Sequence, residues 1–395
     1  MFVFVTSKGV ALSQKAIMRV INSQSAEKIF ALYSCIFCNF IIHYKFLTII
    51  KYLTGKNMCK YFAALIVVAA FVALVSCKDK DNESQWITFT PENSGLVDND
   101  IYSIAFDSNN NAWIGTDAGL SKFDGSNWTT YTKGNSGLIS NYVWRMAVDN
   151  NNNVWIVYDF INYGLSKFDG TNWIIYGTSN STAVANHCIA VDNNNNIWIG
   201  TGHGLSKFDG TNWTTYTTSN SGLSNDWINC IAVDKSSNIW IGCIDSDDYD
   251  GSSLIKFDGT NWTTYTYNTY TTTNSELLDG RISCIAVDTN NNVWIGTHGG
   301  LNKFDGTHWT NYTTENSELI DNFIGSIAID KNNNIWVGGG VEVIGKGLTK
   351  FDGTSWTNYT TSNSGLAGDY ISCIAVDNNN SIWIGTTEGI SVLKR

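Results

Sequence analysis

Residues 198–217 read WIGTGHGLSKFDGTNWTTYT, and close copies begin at Trp113, Trp155, Trp240, Trp294, Trp336 and Trp383. Each copy passes through a linker such as SNSGLSNDW (219–227) into a segment of the type IxxIAVD, then returns to the next WIG or WIV. Successive tryptophans lie 42, 43, 42, 54, 42 and 47 residues apart. A period in the forties holding four short runs of Ile, Val, Thr, Trp, Tyr and Phe points to a propeller blade and away from a helical solenoid.

The four runs are named a (IxxIAVD), b (NIWIGT), c (GLSKFDG) and d (WTTYT), each expected to form a strand of five or six residues. Between c and d stands Asp-Gly, as in Asp209-Gly210, the dipeptide that a tight turn with positive φ asks for. Between a and b an Asp precedes a run of Asn, as in Asp192 to Asn196; their side chains bond their own backbone and tolerate the left-handed region. One proline in 395 residues leaves almost every strand uninterrupted. Strands b and c occur seven times, but strand d follows strand c only six times; its seventh copy, WITFT at 86–90, precedes the first strand a. Pairing 86–90 with 389–394 closes a ring without a free sheet edge. The expected fold is therefore all-β: a seven-bladed β-propeller with four antiparallel strands per blade, over residues 86–395. Fourteen of the 16 tryptophans fall at the two repeated positions and are expected to pack blade against blade, burying about 150–250 Å² each.

Residues 1–57 carry no repeat and read as an extension ahead of a better start at Met58. Residues 58–76 have a short basic head at Lys60, an apolar run from Tyr61 to Val75 and the ending LVSC, the order of an export signal. That run falls short of the roughly 20 residues of a membrane-spanning helix. Leu74 to Cys77 resembles the lipobox of bacterial lipoproteins, which implies lipidation of Cys77, a polar tether over 77–85, and an exported protein anchored to the outer membrane. The stretch KDKDNE after Cys77 partly resembles a surface-export signal of Bacteroidetes lipoproteins, leaving the periplasmic and surface faces both open. Residues 1–76 hold 8 of the 24 Lys and Arg and 1 of the 35 Asp and Glu, leaving 16 basic against 34 acidic residues, a net charge of −18. Such a surface argues against nucleic acid and against charge-driven binding of anionic lipid.

Comparison of the copies with one another places the variation. The a–b and c–d turns barely change, whereas the b–c loop is TGHG at Thr201, VYDFINYG from Val157, CIDSDDYDGSS from Cys243 and GGVEVIGKG from Gly339. The d–a connections vary too, the longest running from Tyr267 to Arg281. In an up-and-down blade these two connections lie at one end, so the variation collects on one face. Just before strand a stand Asp100, Tyr142, Ala185, Trp227, Arg281, Phe323 and Tyr370, with Trp144, Arg145 and His187 one or two residues on. Two readings stand side by side: a ring of aromatics and arginine that stacks on sugar rings or holds a peptide, or side chains that merely cover the blade cores. His203 and His298 come from b–c loops of the same face. No nucleophile elbow, phosphate-binding glycine loop or zinc spacing is present, and no enzymatic activity or cofactor is expected.

The Asp and Asn runs read as turn chemistry. The denser group Asp245, Asp247, Asp248 and Asp250 is the one weak candidate for a metal, Ca²⁺. Cys188, Cys230, Cys284 and Cys373 share one strand-a position, where other blades have Ser103, Arg145 and Ser326; they are expected to be small buried hydrophobes and not disulfides.

The strings NNNIWIGTxxGL and IxxIAVD resemble the two-component regulator propeller repeat, over essentially 86–395. That repeat builds the extracytoplasmic sensor half of hybrid two-component regulators in Bacteroidetes, many of which detect oligosaccharides. Those sensors add a second propeller, a β-sandwich, a membrane helix and a kinase, whereas this sequence finishes its last blade at Arg395. The resemblance therefore implies a stand-alone lipoprotein that binds an oligosaccharide or a protein, linked to sensing or nutrient uptake. A fainter resemblance, to the seven-bladed streptogramin lyases, implies an alternative: a lyase or hydrolase using a histidine near the ring centre, for which His187, His203 and His298 are the candidates. A pure protein-interaction scaffold is the third reading.

Overall fold

Strand b of blades 1, 3, 4, 5 and 7, of the type IWIGT, is buried at all five positions, as only an interior strand covered on both faces can be. The computed structural model describes residues 86–158, 164–177, 186–244, 252–267, 275–341 and 344–395. These hold 28 strands in seven four-stranded antiparallel sheets, each ordered a–b–c–d. The first strand, Trp86–Phe89, pairs with the last, Gly389–Leu393, from Trp86 opposite Leu393 to Phe89 opposite Ile390. The expected ring of seven blades is closed in this way.

Each blade is pinned by the aspartate that ends strand a. In blade 3 the buried Asp192 carboxylate accepts from the amides of Asn194 and Asn196 at 2.9 and 2.8 Å, from Asn196 Nδ2 at 2.7 Å and from the Trp198 indole at 2.9 Å. The same set recurs around Asp107, Asp149, Asp234, Asp288 and Asp330, and around Asp377 with Ser381 in place of Asn. The fourth residue of the turn has positive φ in every blade, Asn in six and Ser237 in one. In five places that Asn also clasps the preceding blade: Asn152 Oδ1 accepts from Ser108 N at 2.8 Å, and Asn110 Oδ1 closes the circle by accepting from Asn378 N at 2.7 Å. Lys235, in the blade with Ser237, reaches Thr289 O at 2.6 Å. The repeated Asp and Asn are thus spent on the turn and on the ring.

Tryptophan packing follows the same rule. The strand-d tryptophan stacks on the strand-c Phe of its own blade, Trp262 on Phe257 at 4.2 Å. The strand-b tryptophan meets the Phe of the next blade edge-on, Trp198 against Phe257 at 6.1 Å. Seven hydrophobic clusters accordingly lie between blades. Gly95, Gly137, Gly222 and Gly365 of the d–a connections lie so close to the next blade's strand-d tryptophan that a Cβ would collide with it.

Two expectations change. Strand d is four residues long in six blades, shorter than five or six, and in five of them the threonine after the last aromatic residue leaves the ladder. Thr217 N donates to Asn220 Oδ1 at 2.7 Å, and Ser221 Oγ donates back to Thr217 O at 2.6 Å. This capped turn recurs at Asn93, Asn135, Asn316 and Asn363, so in five of the d–a connections the first half follows one pattern. In blade 6 strands b and c continue past the usual hairpin end, with Gly340 opposite Gly345 and Val341 opposite Ile344. Residues 1–85, with Cys77, lie outside the described residues, as do Ala185, Asp245, Asp247, Asp248 and Asp250, 159–163 of the blade 2 loop and 268–274 of the longest d–a connection. Among the described residues no helix is long and apolar enough to cross a membrane.

Replacing Asp192 by Ala removes a buried acceptor from four donors and should cost about 3–4 kcal/mol. Asp209→Ala, at an exposed c–d turn where Asp209 accepts from two amides, should cost about 1 kcal/mol. Urea unfolding followed by tryptophan fluorescence checks this; equal losses would contradict the role given to the buried aspartates.

Candidate binding site at the mouth of the central channel

Strand a is innermost in every sheet, so its side chains line the channel as layered rings. The cavity, about 570 Å³, takes Tyr102, Trp144, His187, Asn229, Ser283, Gly325 and Ser372 in the layer nearest the mouth. Below it come Ser103, Arg145, Cys188, Cys230, Cys284, Ser326 and Cys373, then Ile in six blades and Met146 in the other. Asp100, Phe323 and Tyr370 contribute from the rim.

The rim aromatics form three groups. Tyr142 lies nearly parallel to Trp144 at 6.0 Å, and Tyr102 touches both, at 4.8 and 5.4 Å. Trp227, one of few large apolar side chains left exposed, at 38%, stands edge-on to His187 at 4.9 Å. His298 packs against Phe323 at 4.3 Å, and Arg281 is held beside them by Asp279 through Nε at 2.9 Å and Nη2 at 2.6 Å. Tyr102 was not among the residues singled out from the sequence. It holds the position of Trp144 and His187 in blade 1, and comparing that position across all seven copies would have found it. Tyr370 stands where the blade 6 hairpin presses on its backbone: a Cβ at Gly345 would collide with Asp369 and Tyr370.

Burial sets the charge states. The His187 ring is lowered to about 4 by burial and by nearby His203, so it is neutral at pH 7. Burial and Arg281 lower His298, with Asp279 acting in opposition. Burial resists ionisation of Asp279, but its bonds to Arg281 more than offset this and hold its carboxyl low. Burial raises Asp100, as do Asp98 and Asp117 beside it. His203 lies near His187, whereas His298 packs against Phe323, and among the described residues no contact joins His203 to His298. Among the described residues no three His, Cys, Asp or Glu side chains converge on a metal position.

The cysteines fit notches. Cys188, Cys230, Cys284 and Cys373 pair with Gly200, Gly242, Gly296 and Gly385 of strand b, where a Cβ would come within 2.5 Å of each Sγ. All are free thiols, and burial raises Cys188 and Cys284 to about 12 and Cys373 to about 11. Cys188 and Cys230 are buried as expected, whereas Cys284 and Cys373 are only half-buried, and all four line the cavity.

A family model described as two component regulator propeller matches residues 95–118, 180–203, 222–245, 276–299, 318–340 and 365–388. Among solved structures, the extracellular domain assigned to a hybrid two-component system of B. thetaiotaomicron is 23% identical, with a TM-score of 0.66 over 80% of this chain and 41% of that one. A second B. thetaiotaomicron extracellular domain, assigned to a one-component system, is 21% identical, with a TM-score of 0.61 over 80% and 40%. Virginiamycin B lyase of Staphylococcus aureus is 13% identical, with a TM-score of 0.60 over 79% and 99%. The chain thus spans about two fifths of the length of the two B. thetaiotaomicron domains. No curated protein matches the sequence.

A histidine whose folded pKa lies below its unfolded value of about 6.5 stabilises the fold fully above that value. The contribution is lost as the pH falls from 6.5 towards 4, and the loss levels off below. His187→Gln should therefore flatten the stability profile between pH 7 and pH 4 by about 2–4 kcal/mol relative to the parent. Urea unfolding of both proteins across that range measures it; parallel profiles would contradict the assignment.

Proposed function

Because the repeats of this chain belong to the two-component regulator propeller family, we propose that it is an exported, lipid-anchored propeller that binds a ligand at the b–c and d–a mouth of its channel. The ligand is a glycan in the first instance and a protein segment in the second. The observation that carries the reading is the grouping of Tyr102, Tyr142 and Trp144, Trp227, and Phe323 around one opening. Flat apolar faces beside polar groups suit the faces of sugar rings. The likeness in fold to extracellular domains supports export, as does the signal-like stretch ending at Cys77. We place the protein at the outer membrane through Cys77, facing the periplasm or the surface, with a role in sensing or nutrient uptake. Binding without turnover is the reading we favour, since His187 and His298 pack against aromatic rings. The rival, a lyase or hydrolase, draws on His203 lying near His187 and on the fold likeness to virginiamycin B lyase.

A thermal-shift screen of the purified protein against oligosaccharides separates these readings. A bound sugar at a hundredfold excess over its Kd should add about 2.7 kcal/mol. Tyr142→Ala or Trp227→Ala should weaken it about two- to tenfold, at 0.5–1.5 kcal/mol per ring. Changing His203 and His298 together to Ala should leave binding intact; turnover of a sugar that this double variant abolishes would establish the enzyme instead. For the anchor, Cys77→Ala should move the protein from the membrane fraction to the soluble fraction and end labelling by a radioactive fatty acid. An unchanged distribution would refute lipidation there.

A further inference from the structure

The seven blades place Ser, Cys or Arg at the third residue of strand a, and arginine occurs once, at Arg145. Its partner on strand b is Val157, where the six other blades have glycine. The notch that receives a cysteine elsewhere is filled here, and the arginine reaches across to blade 1. Nη1 donates to the carbonyls of Tyr102 at 2.7 Å and Trp144 at 3.1 Å, and Cζ lies 4.2 Å from the centre of the Trp144 ring. Two carbonyls and one indole fix the plane of the guanidinium. Among the described residues nothing accepts from its Nε or Nη2, and the ion pairs of the other arginines are Arg281 with Asp279 and Arg395 with Asp330.

The surroundings do not neutralise this charge. Burial lowers the Arg145 pKa, and the thiols of Cys188, Cys284 and Cys373 that face it are held protonated. A desolvated cation without a counter-charge is costly, and a guanidinium with one open edge is preset for a two-pronged carboxylate. At the rim, Asp98, Asp100 and Asp117 crowd one another near Tyr102. An anion is therefore repelled at that edge and drawn to the depth of Arg145.

We propose that the bound glycan is acidic: a uronic-acid unit stacks at Tyr142 and Trp144 and places its carboxylate on the Nε–Nη2 edge of Arg145. This rests on the glycan-binding reading above and narrows it to a chemical class.

Titration calorimetry tests it with an oligogalacturonate, the same oligosaccharide fully methyl-esterified, and a tetraglutamate peptide. The acid should bind about ten- to a hundredfold more tightly than its ester, and the peptide should not bind. Arg145→Gln should abolish the preference for the acid, leaving acid and ester with equal affinity. Equal binding of acid and ester by the parent protein would overturn the carboxylate contact and leave a glycan site standing, an outcome that needs no variant to fold. Binding of neither sugar would overturn both readings, and binding of the peptide alone would overturn the saccharide assignment.

Discussion

One buried carboxylate per blade holds the molecule together. The aspartate closing strand a collects two backbone amides, an amide side chain and an indole N–H, and so fixes the a–b turn and the strand-b tryptophan at once. That tryptophan is the floor on which the next blade's Phe and strand-d tryptophan are laid. The left-handed Asn of the same turn reaches the neighbouring blade. Local turn chemistry and ring closure are therefore the same set of bonds, and burial makes each of them costly to lose.

A scaffold repeated seven times carries no information about a ligand until its symmetry is broken. The a–b face is nearly uniform, and the breaks gather at the other end: Tyr102, Trp144 and His187 where other blades have Asn, Ser or Gly, and Arg145 where they have Ser or Cys. The substitution of Val157 for glycine beside Arg145 shows that the break extends into strand b and is a coordinated change of two strands. Rigid blades present these side chains at fixed heights in the channel, which suits a site that must not reorganise on binding.

Much of this was legible in the sequence. The spacing of Trp113 to Trp383 gave the blades, the displaced WITFT gave the closure, and Asp-Gly and the Asp–Asn runs gave both turns, because each depends on neighbours within about ten residues. What stayed hidden depends on contacts between blades. The Asn clasps require two turns brought side by side, and the direction of Arg145 requires the Val157 that stands opposite only after folding. Tyr102 is not conspicuous in the sequence because its rim neighbour is Asp100 and not an aromatic. The blade 6 insertion reads as a loop by composition, but Gly340 and Gly345 pair and carry the hairpin further.

The ligand position proposed above is the b–c and d–a mouth. Hydrogen–deuterium exchange of the protein with and without an oligosaccharide found to bind it tests this most directly. The account predicts slowed exchange at 98–103, 140–146 and 226–230, with the a–b turns around Asp107, Asp192 and Asp288 unchanged. Protection confined to the a–b and c–d turns would place the ligand on the opposite face and contradict the account.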